Sequence, residues 1–313
     1  MDISDKIFLE KENTPNINPI NKVRAITSQQ ANQKKYIFKC RDKELEIGTK
    51  TYIMGVLNLT PDSFYDGGKY TSLDKALKRV EQMIHEGADI VDIGGESTRP
   101  GSLSISLEEE CERVIPVINK INKSFDTIIS IDTTKSRVAY EALKEGASIV
   151  NDISGLKFDE KIADVAKEFD AALVLTHTSS YPQDMQEHTD YDSLVDDILK
   201  ALRDSVNTAI KKGIDNRSIL IDPGFGFGKT SEQNLILLKN LSRFSELGMP
   251  VLIGTSNKSF IGKTLNAEIN ERTEGTAATV AIGILNGASI VRVHDITYMK
   301  KVSKMVDAVL NVN

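Results

Sequence analysis

The sequence predicts a (β/α)₈ TIM barrel carrying an N-terminal hairpin and a mobile N-terminal extension. Three observations lead there. From residue 51 one unit recurs eight times: a short β-branched run, a polar or Gly-rich loop, then an amphipathic helical stretch. Residues 51–313 hold these units, close to the barrel's usual size of about 250 residues. No GxGxxG turn follows the first strand, which weakens the runner-up, a doubly wound open sheet.

Residues 1–35 are rich in Asn, Gln and Lys, include Pro15 and Pro19, and show no sustained apolar period, so a flexible polar extension is expected. In residues 36–50 Tyr36, Phe38 and Cys40 alternate, and Leu45 and Ile47 follow the polar turn 41–44. That pattern predicts a hairpin plugging one end of the barrel. Barrel strands are expected at 51–59, 89–95, 127–133, 149–154, 172–178, 218–223, 251–256 and 290–294. Between them Leu73, Ala76, Leu77, Val80, Met83 and Ile84 form one helical stripe, and Leu107, Cys111, Val114, Ile115 and Ile118 another, which makes Cys111 a core residue. Gly87, Gly146, Gly213, Gly248 and Gly287, with Asp170, stand where helices should stop.

With 313 residues, 40% hydrophobic and 27% charged, the chain can bury a full core. A net charge of -6 with scattered cations offers no field for nucleic acid. Cys40 and Cys111 match neither a disulfide framework nor a metal-ligand spacing, and the start has no secretory pattern. The apolar stretch 277–285 is too short to span a membrane. A cytoplasmic protein, with neither nucleic-acid nor membrane partners, is the expectation. His85 and His188 lie among polar neighbours and are expected at the surface.

In such a barrel the C-terminal strand ends form the active face. They carry Asn58, Glu96 with Thr98 and Arg99, Asp132, Asn151 with Asp152, His177, Asp222, Ser256 with Lys258, and Arg292 with His294. Any one of these could be a satisfied structural group, but together they suit a polar heterocycle bearing an anion.

Seven segments then stand in order on those strand ends: LNLTPDSFYDGG (57–68), GGESTRPG (94–101), SIDTTK (130–135), NDISG (151–155), DPGFGFGK (222–229), GTSNKSFIG (254–262) and RVHD (292–295). This set resembles the dihydropteroate synthase family across residues 51–313. The resemblance implies a transferase that condenses 6-hydroxymethyl-7,8-dihydropterin diphosphate with 4-aminobenzoate, giving 7,8-dihydropteroate and diphosphate, with Mg²⁺, in folate biosynthesis. It implies a sulfonamide target and a homodimer as well.

By the same resemblance Asp222 accepts the pterin's paired N–H donors, Asn151 meets the rest of the ring edge and Lys258 donates to the 4-oxo oxygen. Asp132, expected to be ionised, stabilises charge developing on the pterin, and Arg292 with His294 clamps the diphosphate. Asn58 holds Mg²⁺ with the diphosphate. Thr98, Arg99 and Pro100 face Phe227, Lys258 and Ser259 across the 4-aminobenzoate site, where Ser259 begins a short helix whose N–H groups can receive the carboxylate. That site should form only once Mg²⁺ and diphosphate order the loops at 59–71 and 96–106.

The chain departs from the family at Asn257, where arginine is usual, at 176–180, and at Tyr65. These departures bear on 4-aminobenzoate more than on the pterin. Two alternatives stay open at this point: a methyltetrahydrofolate-dependent methyltransferase, and a pterin-binding protein without catalysis.

Overall fold

The computed structural model describes residues 36–60 and 69–312, with the backbone alone at 69–72. The expected extension at 1–35, and Pro61, Tyr65, Gly67 and Gly68 of the first loop, lie outside the described residues.

Two strands, β1 (Tyr36–Cys40) and β2 (Lys43–Ile47), pair antiparallel with Cys40 opposite Lys43. The turn between them is the two residues Arg41 and Asp42, with Arg41 left-handed at φ 58°. Eight parallel strands follow, β3 (Tyr52–Asn58), β4 (Ile90–Gly94), β5 (Ile128–Asp132), β6 (Ile149–Asp152), β7 (Ala172–Thr176), β8 (Ile219–Asp222), β9 (Val251–Ile253) and β10 (Ala288–Val293). They close into a barrel in which β10 pairs with both β9 and β3. The helices around it are α1 (Lys69–Glu86), α2 (Leu107–Ser124), α3 (Ser136–Lys144), α4 (Lys161–Glu168), α5 (Leu194–Lys211), α6 (Ser231–Lys239), α7 (Ser259–Leu265), α8 (Thr273–Leu285) and α9 (Ile296–Asn311).

The period of two along each strand separates two cores. Outward residues such as Val91, Ile93, Ile129, Ile131, Ile221 and Val291 pack under the helices. Inward residues form a second cluster near the N-terminal end: Tyr52, Met54, Ile90, Ile128, Ile149, Leu220, Leu252 and Ile290. Phe38, Cys40, Leu45 and Ile47 of the hairpin join that same cluster, so the hairpin does seal this end. Two residues further along five of these strands the inward position turns polar: Asp92, Ser130, Asn151, Asp222 and Arg292. The barrel is therefore a closed cup, with an apolar floor and a polar well above it.

The strands are shorter than expected at their C-terminal ends. The segment after Ile253 turns away at once instead of continuing to Ser256, whereas β10 starts two residues early, at Ala288. The expected helix stops, including Asp170 at φ 50°, all have positive φ. Cys111 is half-buried against the helix-side core rather than within it.

Candidate active site

Four strands contribute the base of the well. Arg292 on β10 lies across it, donating from Nε to Asp92 Oδ2 (2.6 Å) and from Nη2 to Asp132 Oδ2 (2.7 Å). Asn151 donates from Nδ2 to the same Asp92 oxygen at 3.1 Å. Asp92 is fully buried, and it fixes both the arginine and the carboxamide. The sequence reading missed it, although a carboxylate at an inward position of the apolar run Ile90–Ile93 was a signal. Gly94 separates Asn58 from Asp132: a Cβ placed there would lie 3.6 Å from Asn58 Oδ1 and 3.7 Å from Asp132 Cβ. Asn58 and Asp132 thus flank Gly94 at the C-terminal ends of β3 and β5.

Burial raises Asp132 to about 7, while the Arg292 guanidinium pulls the other way. Desolvation is the larger effect and opposes the ionised form expected of Asp132, which the 2.7 Å ion pair with Arg292 favours. Asp222, also buried, is pushed up to about 6. Lys258 is brought down to about 8 by burial and by the charge of Arg292. His294 falls to about 4 through desolvation and the cations Arg292, Lys258 and Arg99. Its side chain reaches solvent, so the neighbouring charges are the firmer cause, and the imidazole is neutral at pH 7. His294 lies just past the end of β10, with Nδ1 at 3.0 Å from Ser256 Oγ.

The opposite wall is the loop after β8. Asp222 Oδ1 accepts from Gly224 N at 2.8 Å, which turns the chain sharply. Gly224 and Gly228 both have positive φ, and a Cβ would fall 1.9 Å from His177 O at the first and 1.7 Å from Ser179 Oγ at the second. Only glycine fits there. The buried Lys229 ammonium ties the loop together through the carbonyls of Gly224 and Phe227 and through His177 Nδ1 at 3.1 Å. His177 is thus a buried structural partner, held neutral by burial and by Lys229. Asp152 is structural too, its carboxylate accepting from the backbone of Ser154 and Leu156. The loop presents Phe227, and Lys258 Nζ sits 4.2 Å from the centroid of its ring.

At the rim Thr98 is half-buried, while Arg99, Pro100 and Ser259 are exposed. Ser259 is the first residue of α7, and Lys258 is its N-cap. Beside Asp132 opens a cavity of about 330 Å³ lined by Thr98, Glu96, Lys135, Phe158 and Tyr181. It flanks the Arg292 base rather than containing it, and no described contact brings Pro100 to the well. Asn257, where the family carries arginine, is left-handed at φ 58°, a conformation asparagine tolerates. Its carbonyl accepts from Arg272 Nη1 at 3.0 Å, so a guanidinium stands at this corner all the same. His85 and His188 are exposed, as expected.

A barrel with these inward carboxylates, carboxamide and cations defines an enzyme that binds a polar heterocycle at its C-terminal face. The family described as pterin binding enzyme matches residues 54–294. A dihydropteroate synthase of Clostridium beijerinckii is 48% identical over 273 residues, which is 87% of this chain and 99% of the relative. The structure of Clostridium difficile dihydropteroate synthase in the presence of pteroic acid superposes with TM-score 0.81 at 45% identity, covering 85% of this chain and 98% of the other. The Xanthomonas albilineans enzyme with 4-aminobenzoic acid gives TM-score 0.83 at 37% identity, covering 90% and 100%. The chain belongs to the pterin-binding enzymes and, within them, to the dihydropteroate synthases. Its activity is the condensation that the motifs imply, and the methyltransferase and non-catalytic alternatives fall away.

Proposed function

We propose that the well divides the condensation among its residues by depth. The observation carrying this reading is the convergence of Asp92, Asp132, Asn151 and Arg292 above an apolar floor, with Asp222 and Lys258 on the opposite wall. Asp222 keeps its turn through Oδ1 and offers the rest of its carboxylate to the pterin's paired donors. Asn151 and Lys258 read the remaining ring edge. Asp132 in its ionised form lies where positive charge grows on the pterin as the diphosphate departs, and its stabilisation strengthens along the reaction. The amine of 4-aminobenzoate is nucleophilic when neutral, so positioning by Thr98, Arg99, Pro100, Phe227, Lys258 and Ser259 replaces a strong base.

Arg292 supplies fixed positive charge to the diphosphate, whereas the neutral His294 meets it as a hydrogen-bond donor or takes up a proton. The described residues hold no group of three or more His, Cys, Asp or Glu able to bind a metal. Asn58 offers one hard, neutral oxygen at the mouth, which fits a cation that takes its other ligands from phosphate and water. Mg²⁺ held there would neutralise charge on the leaving group. The decisive experiment measures diphosphate release: it should require both 4-aminobenzoate and Mg²⁺, and release without either would contradict the assignment. An aryl sulfonamide should compete with 4-aminobenzoate in the same assay.

A homodimer is part of this proposal. Leu235 and Ile236 on α6 and Ile282 on α8 leave large apolar side chains on neighbouring exposed faces. Light scattering should give twice the chain mass, and Ile282→Glu should reduce it to one. We place the protein in the cytoplasm: both cysteines are free, and no helix among the described residues is long and apolar enough to cross a membrane.

A further inference from the structure

The segment bearing Thr98, Arg99 and Pro100 leaves β4 at Gly94 and enters α2 at Leu107. Its tip is not held by burial, since Arg99, Pro100, Gly101 and Leu103 are exposed. Among the described residues, the one backbone bond from tip to neighbour runs from Gly101 N to Pro182 O at 2.9 Å. Its root is different. Arg113 Nη1 on α2 donates to Gly95 O at 2.7 Å, and Glu96 Oε1 accepts from Ile105 N at 3.3 Å, closing the segment on itself. The other Glu96 oxygen accepts from Lys135 Nζ, and the same ammonium donates to Glu110 Oε2 on α2 at 2.6 Å.

Lys135 stands three residues after Asp132, at the N-cap of α3. One ammonium thereby joins the end of β5, the root of the segment after β4, and the first turn of α2. Glu110 is fully buried, and its second oxygen has no hydrogen-bond partner among the described residues. Burial alone would lower Lys135, but its bonds to Glu110 and Glu96 reverse that and keep it charged. Burying two carboxylates on one cation is a poor way to gain stability, because apolar groups of similar shape serve as well or better. Geometry is the better explanation: Lys135, Glu96, Thr98 and Asp132 line one cavity.

We propose that Lys135 is a positioning residue for the second substrate. It is the pivot that sets the height of the 95–105 segment over the well and registers Thr98 and Arg99 against Asp132. The inference rests on the condensation assigned above and on Thr98 and Arg99 meeting 4-aminobenzoate.

The test is steady-state kinetics with each substrate varied, beside calorimetric binding of the pterin diphosphate. Lys135→Met should raise KM for 4-aminobenzoate by roughly tenfold or more, the scale of a sub-ångström to ångström misplacement, with kcat within about threefold and pterin affinity within about twofold. Lys135→Arg keeps a cation between both carboxylates and should hold KM within about threefold of wild type. Because Lys135→Met strands a buried carboxylate, Lys135→Met/Glu110→Gln is measured as well. The double variant should regain thermal stability yet keep the raised KM, since Glu96 still lacks its tether. A KM that returns to wild type with stability would reduce the cluster to scaffolding and overturn the proposal. So would equal losses for both substrates, or an unchanged KM in Lys135→Met. A wild-type protein that forms no dihydropteroate would instead refute the underlying reaction, and this inference with it.

Discussion

At the scale of single residues, Asp132, Asp222 and Lys258 are buried charges whose protonation is shifted mainly by desolvation. Asp222 accepts two pterin donors only as a carboxylate, and burial raises it to about 6. Its acid form predominates below that value, so pterin affinity should hold above pH 6 and fall by about tenfold per unit further below it. Calorimetry from pH 4.5 to 8 checks this, and a flat profile would contradict it. Asp222→Asn should cost about 1.5–3 kcal/mol of pterin binding at pH 7, the range for a hydrogen bond to a charged group. Asp92 touches no substrate in the proposed arrangement, yet it holds Arg292 at 2.6 Å and Asn151 at 3.1 Å. Asp92→Asn should therefore lower kcat/KM by about 10²-fold, the cost of an ångström of misplacement, while circular dichroism stays that of the wild type. His294, neutral in the free protein, should bind a proton when diphosphate arrives. Titrations at pH 6 in buffers of different ionisation enthalpy would show that uptake as a buffer-dependent heat.

At the scale of elements, the loop after β8 owes its shape to glycines that meet backbone or neighbouring side chains. Gly224→Ala would place a methyl 1.9 Å from a carbonyl oxygen at positive φ. It should destabilise the protein by about 2 kcal/mol or more, since left-handed strain and a backbone clash add. Gly248 also has positive φ but nothing within 4 Å, so Gly248→Ala should cost only about 1–2 kcal/mol. Thermal melts of the two variants check the contrast. The same comparison shows what was legible in the sequence. Short β-branched runs and helix stops located all eight strands, because those signals are local. The strand ends were overextended because polar residues such as Ser256 continue the pattern but spend their side chains on loops. His177 looked like a mouth residue because its buried partner, Lys229, lies 52 positions away. Asp92 was missed for the converse reason: its partner Arg292 is 200 positions away, and an aspartate inside an apolar strand reads as an exception until the barrel closes.

At the scale of the whole molecule, the hairpin and the barrel share one apolar floor. Phe38 is fully buried in it. Phe38→Ala should destabilise the fold by about 3–5 kcal/mol, measured by denaturant unfolding, through lost burial and the cavity left behind. The polar well begins a full layer above, so kcat in the variant should be unchanged at temperatures where it stays folded.

Among the described residues, that sealed floor makes the site a blind shaft opening at the C-terminal face. Whatever lies deepest must arrive first and leave last, and the depths here run from Asn151 and Asp222 upward to Thr98 and Ser259. An occupant of the upper half is then a cork. Saturating 4-aminobenzoate, or a sulfonamide in its place, should slow escape of a pterin already seated beneath it, however weakly the two touch. Stopped-flow displacement of a bound pterin, with and without the upper occupant, would register the obstruction as a lower off-rate; an off-rate indifferent to the cork would mean that the shaft has another exit.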